Sequence, residues 1–395
     1  MFDLQLVQMI RIVNGGKMNV TIIGGGIAGL TTAIALKKAG FNSTIFEAAP
    51  TIKPLGAGLG LGANAIKAFQ KLGIADEIIV RGNVVPSFSI YDQEGRIITR
   101  TDNATLGKKY GINNFTIHRV ALHEMLLSQV DKGSLHFNKR AIDFIYGHDG
   151  IMIKMEDGSR YKSDAVIVAD GIHSRIRTIL LPGSTPKYAG YTCWRAVIPN
   201  ATLQLTETSE TWGKHGRFGI VPLADNKIYW FACINAPGHD PVMKSFRVKD
   251  LQEHFKNYHA PIIDILFQTR DEDLLWNDII DLDPVDKYAF GNMVLIGDAA
   301  HAATPNLGQG ACQAIEDAVI LADEWTKNTS IERAFRAFEQ RRLKRTHYII
   351  KTSRAIGRIA QMQNKVICAS RNALFRILPS AVNERQLEKL YKVEL

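Results

Sequence analysis

The sequence predicts an α/β fold: a parallel sheet flanked by helices, an antiparallel sheet inserted into it, and a C-terminal helix. Three observations predict it. Glycine-rich turns link apolar strands to apolar helices at Gly24-Gly25-Gly26-Ile27-Ala28-Gly29 and Gly308-Gln309-Gly310. Uniformly apolar runs, the mark of strands buried on both faces, occur at Val20-Thr21-Ile22-Ile23, Ala165-Val166-Ile167-Val168 and Met293-Val294-Leu295-Ile296. Between Gly190 and Asn235 the pattern changes to alternation with turn residues, which is antiparallel hairpin chemistry.

The first run leads through the glycine turn into an apolar stretch from Leu30 to Ala39, so it reads as strand, turn, helix. In that context Gly24 permits the sharp turn and Gly26 lets backbone approach a pyrophosphate. Gly29 lets the helix pack closely on the strand, and the N-terminal amides around Ile27 and Ala28 face the anion. Glu47 ends the next apolar run, Ser43-Thr44-Ile45-Phe46, where a carboxylate accepts hydrogen bonds from an unphosphorylated ribose. The series Gly56-Ala57-Gly58-Leu59-Gly60-Leu61-Gly62 has no apolar strand before it and reads as extended backbone passing close to a cofactor ring. A helix begins near Val120, after Ile117-His118-Arg119.

Two later strands end in acids. Ala165 to Val168 runs into Ala169-Asp170-Gly171, with Ser174, Arg175 and Arg177 opening a helix, and Met293 to Ile296 runs into Gly297-Asp298. Ligands of open α/β sheets gather at such carboxyl ends, and Asp298 is placed to bind a sugar hydroxyl. Gly308-Gln309-Gly310 opens a helix with Ala311, Ala314, Ile315, Ala318, Leu321, Ala322 and Trp325 at helical spacing; its N-terminal amides form a positive pole. His301 reads as a hydrogen-bonded turn residue.

At 395 residues, 46% hydrophobic and 22% charged, the chain is long enough for two domains. No apolar stretch reaches the roughly 18 residues of a membrane span. The cysteines Cys193, Cys233, Cys312 and Cys368 lack the spacing of a zinc site, disulfide framework or dithiol motif, no metal cluster is expected, and a reducing cytoplasm fits. Met1 to Lys17 does not resemble a secretory signal, and Met18 reads as an alternative start. The net charge of +9 is concentrated between Arg333 and Arg376. Ile349, Ile356, Ile359 and Val366 recur at helical spacing with Lys351, Arg354, Arg358 and Lys365 on another side, a basic amphipathic helix. The favoured reading packs it against its own protein; the alternative lays it on an anionic membrane surface. Nucleic acid is not expected, because no recognition motif accompanies the charge.

Taken together, the motifs resemble the class A, single-component flavoprotein monooxygenases, the family containing para-hydroxybenzoate hydroxylase, from Met18 to about Arg345. The resemblance implies a discontinuous FAD-binding Rossmann-like domain (18–79, 110–184 and 285–345), an inserted antiparallel substrate-binding β-sheet domain (80–109 and 185–284) and a C-terminal helical segment (346–395). Gly24, Gly26, Ile27, Ala28, Gly29 and Glu47 would hold the ADP half of FAD, and Asp170 and Arg177 belong to a motif implicated in both FAD and NAD(P)H binding. Asp298 would bind flavin ribose, the loop from Pro305 through Gly308, Gly310 and Ala311 would border the isoalloxazine, and Arg119 would close over the cofactor.

The implied function is hydroxylation or epoxidation of an aromatic or polyene-like, lipophilic small molecule. NADPH or NADH reduces FAD, oxygen adds at C4a, and the distal OH of the hydroperoxide is transferred. Tyr188 to Arg195 and Trp212 to Phe218 are similar to the branch with urate, zeaxanthin epoxidase-like and salicylate hydroxylase-like enzymes, although Trp194-Arg195 departs from the urate pattern. Arg195, Arg217 and Tyr229 are the candidates for polarising a substrate hydroxyl, with His215 behind them, and Phe218, Ile220, Trp230 and Phe231 would wall an apolar chamber or, equally, form ordinary sheet core. An FAD-dependent reductase of double bonds and a non-catalytic flavin redox sensor are the alternatives; a halogenase is disfavoured by the missing Trp-x-Trp-x-Ile-Pro signature.

Overall fold

The computed structural model describes residues 18–51, 57–102, 107 and 114–395. The readings of Met1 to Lys17 and of Gly56 lie outside the described residues.

The three apolar runs are neighbours in one six-stranded sheet, ordered Ala289–Phe290, Met293–Leu295, Ala165–Val168, Val20–Ile23, Ser43–Phe46, Leu135–His136. All pairs are parallel except the first, and Val20–Ile23, Ala165–Val168 and Met293–Leu295 are buried throughout. Ile23 faces both Val168 and Phe46, and Val168 faces Leu295. That register aligns the strands' carboxyl ends. It brings together the turn after Ile23, the Ala169–Gly171 segment and the Gly297–Asp298 corner, although they lie far apart along the chain. Helices Ile27–Lys38 and Gly310–Lys327 pack together against this sheet.

A second sheet of seven strands runs Leu275–Asp281, Lys187–Pro199, Lys227–Asn235, Gly216–Leu223, Thr208–Gly213, Ser87–Asp92, Ile97–Asp102. Period-two alternation divides its side chains between two faces. Trp194, Ala196, Phe218, Ile220, Trp230 and Ala232 turn to one face and form a core with Leu251 and Phe255 of Val248–Phe255 and Ile262, Ile265 and Leu266 of Ile262–Gln268. Cys193, Arg195, Arg217, Tyr229, Phe231 and Cys233 turn to the other face, toward a cavity. The expectation of a chamber walled by Phe218, Ile220, Trp230 and Phe231 is therefore corrected: only Phe231 lines the cavity, and the other three share the opposite core.

The predicted single C-terminal helix is also corrected. The chain forms helices Ile331–Ala360, Lys365–Ile377 and Ser380–Tyr391, broken at Gln361 and restarted by Asn364, whose side chain accepts the N–H groups of Val366 and Ile367. Val366, 73% exposed, does not share the packed face of Ile349. Much of the basic charge is committed internally. Arg354 is paired with Asp281 and Asp283, Arg342 with Glu316 and Asp317, and Arg345 donates to the carbonyls of Lys389 and Leu390. The tail thus packs on its own protein. Among the described residues no helix is long and apolar enough to cross a membrane.

Candidate active site

Backbone shape comes first. Gly24 has φ +106°, and a Cβ there would lie 2.3 Å from the Ala169 carbonyl oxygen. At Gly29 a Cβ would lie 1.9 Å from the Gly24 oxygen, so helix and turn touch directly. A Cβ on Gly26 would meet nothing within 4 Å. The same glycine turn is thus packed solid behind and open in front, and the open side faces the cavity beside Ile27 and Ala28.

Glu47 is pre-set by two backbone donors: Oε2 accepts from the Gly25 amide and Oε1 from the Ala49 amide, each at 2.7 Å. Carboxylate oxygens have lone pairs to spare, so a ribose diol can still bond there. Ala169 and Gly171 line the cavity, while Asp170 between them is largely buried with Oδ1 unpartnered. Burial pushes its carboxyl up to about 6, against the opposing pull of Ser174 and Arg177. Arg177 does not itself line the cavity. Its guanidinium is buried and bonds the carbonyls of Ser184, Ala299 and Ile172, bracing the two acid-bearing turns against each other.

Asp298 starts a short helix at Gly297 and is exposed on the cavity, while the dense protein around it raises its carboxyl by desolvation. Its corner is anchored from behind. Asp317 accepts from the Gly297 amide at 2.7 Å, from His301 Nε2 at 2.6 Å and from Arg342 Nε at 2.6 Å. Arg342 also reaches Glu316 at 2.6 Å, and Glu316 takes Asn64 Nδ2 at 2.5 Å. His301 is a hydrogen-bonded structural residue, as its motif suggests. The loop Pro305–Leu307 then turns at Gly308, φ +62°, and helix Gly310–Lys327 begins; neither Gly308 nor Gly310 has an atom within 4 Å of a Cβ position.

These pieces surround a cavity of about 420 Å³ between the two sheets. Arg119, Asp298, Pro305, Gly308, Gly310 and Ala311 line one side. Gly58 and Gly60 line it too, and a Cβ on Gly58 would strike the Tyr229 ring at 2.7 Å, so the close approach at Gly58 is to this side chain. On the antiparallel sheet's side, Arg195, Arg217 and Tyr229 converge with Glu210, Phe231, Cys193 and Cys233. His215 stays outside, where its carbonyl accepts from His254 and its ring packs edge-on against the His254 ring.

The two arginines differ in charge balance. Arg217, 2% exposed, donates to Glu210 at 3.0 Å and lies over the Tyr191 ring. Burial opposes its charge, yet Glu210 and nearby thiols hold the guanidinium firmly protonated. Among the described residues no carboxylate pairs with Arg195, and its buried Nε has no hydrogen-bond partner. Burial raises the Tyr229 phenol, which stays a neutral donor. Glu210, Cys193, Cys233, Asn306 and Ile279 were not anticipated as lining residues. Strand parity could have found the cysteines, since Cys193 lies two residues from Arg195 and Cys233 two residues from Phe231.

FAD fits this site on the structure's own terms: an open glycine cradle at a helix N-terminus, a ribose-ready carboxylate, an acid opening on the cavity, and a second uncrowded glycine turn. Together they define a flavin-dependent oxidoreductase. The comparisons agree. Residues 17–346 match the family described as FAD binding domain. The chain is 35% identical over 364 residues, 92% of it and 95% of the relative, to the aurachin C monooxygenase/isomerase of Stigmatella aurantiaca. It is 31% identical to the 2-heptyl-3-hydroxy-4(1H)-quinolone synthase of Pseudomonas aeruginosa, across 95% of this chain and 98% of that one. The crystal structure of Klebsiella pneumoniae HpxO with FAD and uric acid superposes with TM-score 0.89 at 26% identity, covering 95% of this chain and 97% of the other.

The chain belongs to this FAD-binding family and is an NAD(P)H-dependent flavoprotein monooxygenase that hydroxylates an aromatic substrate with O2. The double-bond reductase and the non-catalytic sensor are set aside by these relatives.

Proposed function

We propose that the enzyme hydroxylates an electron-rich nitrogen heteroaromatic bearing an oxo or hydroxyl group, with lipophilic 4(1H)-quinolones as the first class to test. The observation that carries this reading is Arg195, which has no carboxylate partner among the described residues and has the Cys193 thiol beside it, in the same cavity as a neutral Tyr229 donor and an internally cancelled Arg217–Glu210 pair. A cation without a carboxylate counterion favours an enolate or a strongly polarised ring oxygen. The relatives support the class, since one is named for a heptyl quinolone and another was crystallised with uric acid.

In this reading FAD, when bound, would supply the hydride-accepting and oxygen-activating chemistry, with NADH or NADPH as reductant. The protein positions and polarises. Gly24 through Gly29 with Glu47 hold the ADP half, and Asp298 holds a flavin sugar hydroxyl. Arg119, Pro305, Gly308, Gly310 and Ala311 border the ring, where backbone amides at a helix N-terminus stabilise negative charge. Arg195 draws negative charge onto the substrate oxygen and raises electron density at the carbon to be hydroxylated. Tyr229 donates a hydrogen bond to the substrate, and the Arg217–Glu210 pair fixes one end of the ring. Phe231, Val221 and Ile279 supply apolar wall and keep water out. The domain division at 80–109 and 185–284 follows the same split, substrate on the antiparallel sheet and cofactor on the parallel one. We place the enzyme in the cytoplasm, where NAD(P)H is available and four free cysteines are stable.

The test is stimulation of NAD(P)H and O2 consumption by 2-heptyl-4(1H)-quinolone, uric acid, salicylate and 4-hydroxybenzoate, with product mass showing one added oxygen. Quinolone-stimulated, coupled turnover is expected. Coupled turnover with the benzoates alone would refute the heteroaromatic reading.

A further inference from the structure

Cys193 and Cys233 stand directly opposite each other on the antiparallel strands Lys187–Pro199 and Lys227–Asn235. Both are reduced and almost wholly buried, at 4% and 1% exposure, yet both line the cavity. Their only access is therefore from the chamber in which oxygen is handled. Facing residues of an antiparallel pair hold their Cα atoms about 4.5–5.5 Å apart. A disulfide accepts about 4.4–6.8 Å. The two thiols need no backbone movement to join.

The chamber also makes one of them reactive. Pairing with Cys233 and the neighbouring Arg195 and Arg217 guanidiniums favour a thiolate at Cys193 against the cost of burial, and its Sγ contacts the Trp194 carbonyl at 3.4 Å. A thiolate favoured beside a facing second thiol is the arrangement of an attacking and a resolving cysteine. The remaining cysteines lack it: burial raises Cys312 to about 12, and Cys368 lies off the cavity, bonded to the Met362 carbonyl.

We propose that Cys193 and Cys233 form a peroxide-reactive dithiol in the wall of the substrate chamber, converted to a cross-strand disulfide by hydrogen peroxide. The Cys193 thiolate attacks peroxide, breaking the O–O bond; one oxygen stays as the sulfenic acid and the other leaves as water after taking a proton. The Cys233 sulfur then displaces the sulfenic oxygen, which departs as a second water carrying the Cys233 proton. One peroxide is reduced to two waters while two thiols become one S–S bond. The consequence falls on Arg195, which loses its thiolate neighbour. Peroxide leaking from NAD(P)H turnover without substrate would meet this pair before reaching solvent.

The test needs no knowledge of the substrate and stands apart from the heteroaromatic reading. FAD-loaded protein is exposed to a small excess of hydrogen peroxide, blocked with N-ethylmaleimide and mapped by mass spectrometry. The expected result is a fall from four free thiols to two, a Cys193–Cys233 linked peptide pair, loss of two hydrogens in the intact mass, and full reversal by dithiothreitol. Cys233→Ala should stop at a dimedone-trappable sulfenic acid on Cys193, which separates the attacking from the resolving thiol. Four thiols surviving the treatment, or wild-type Cys193 reaching sulfinic acid without linking to Cys233, overturns the proposal.

Discussion

Arg217 donates to Glu210 at 3.0 Å inside the cavity wall, and each side chain is nearly sealed from solvent, at 3% and 13% exposure. The pair is self-cancelling, so it shapes the chamber without claiming an anion. Removing one partner leaves the other charged and buried, which costs about 3–5 kcal/mol. Arg217→Met should therefore lower stability by that order in denaturant melts. Arg217→Met combined with Glu210→Gln should recover most of it, a coupling that a double-mutant cycle reads directly. Equal melts for the single and double variants would show that the ion pair carries no such coupling.

Arg195 behaves differently because no carboxylate opposes it. Arg195→Ala frees no buried acid, and its effect should appear in catalysis instead. A hydrogen bond to a charged group is worth about 1.5–3 kcal/mol, so KM for the activating substrate should rise about tenfold or more while the melting temperature hardly moves. Arg195→Lys should recover part of the loss by restoring charge without the planar fork. An unchanged KM in Arg195→Ala would exclude contact with substrate.

Much of this site was legible because its parts are main-chain devices. The roles read for Gly24, Gly26 and Gly29 correspond to distinct surroundings: a positive φ, open space, and a contact that no side chain could enter. Side-chain orientation was less legible. Phe218, Ile220 and Trp230 look like chamber walls by composition, yet parity sends them to the opposite core, and only their position relative to Arg217 and Tyr229 tells the faces apart. The partners of Arg177 were less legible for a related reason: of its three carbonyl partners, Ser184 and Ala299 lie outside the motif that names it. Glu210 was missed because an acid on a strand usually faces solvent, and nothing local announces that Arg217 lies across from it.

Two glycines in the first turn separate folding from binding. Gly26→Ala adds a methyl into open space, so the apoprotein should melt as wild type does, while FAD affinity falls at least about tenfold because backbone can no longer approach the pyrophosphate. Gly29→Ala drives a methyl to 1.9 Å from the Gly24 oxygen and should cost fold stability whether or not FAD is present. Flavin fluorescence titration and thermal melts of both apoproteins check this. Normal FAD binding by Gly26→Ala would remove the cradle from the pyrophosphate site.

Asp170 gives the chain a pH signature of defined sign. Its folded-state pKa is raised from 3.8 to about 6, chiefly by burial. The folded state therefore holds its proton where the unfolded chain has released it, and the associated stability is fully present below about pH 4 and lost as pH rises through about 6. That shift corresponds to about 3 kcal/mol. Asp170→Asn removes the ionisation and keeps the shape, so in the apoprotein it should stabilise at pH 7.5 and lose that advantage by pH 4. Melts of both proteins across this window give the answer. A constant difference between them, independent of pH, would mean that Asp170 titrates like an exposed carboxylate.

The network behind the flavin corner is the last place where a single side chain decides the outcome. Arg342 is fully buried and joins Asp317, which holds the Gly297 amide and His301, to Glu316, which holds Asn64. Without this guanidinium the two adjacent carboxylates repel each other, with Glu316 left to Arg345 and Asp317 left to His301. Arg342→Met should thus lower stability by about 3–5 kcal/mol. It should also loosen the turn that presents Asp298, weakening FAD even under conditions where the protein remains folded. Asp317→Asn keeps acceptor geometry for the Gly297 amide while removing charge, so its FAD affinity should fall less than that of Arg342→Met. If Arg342→Met retains wild-type FAD affinity while folded, the network serves the core alone and Gly297 holds its position without it.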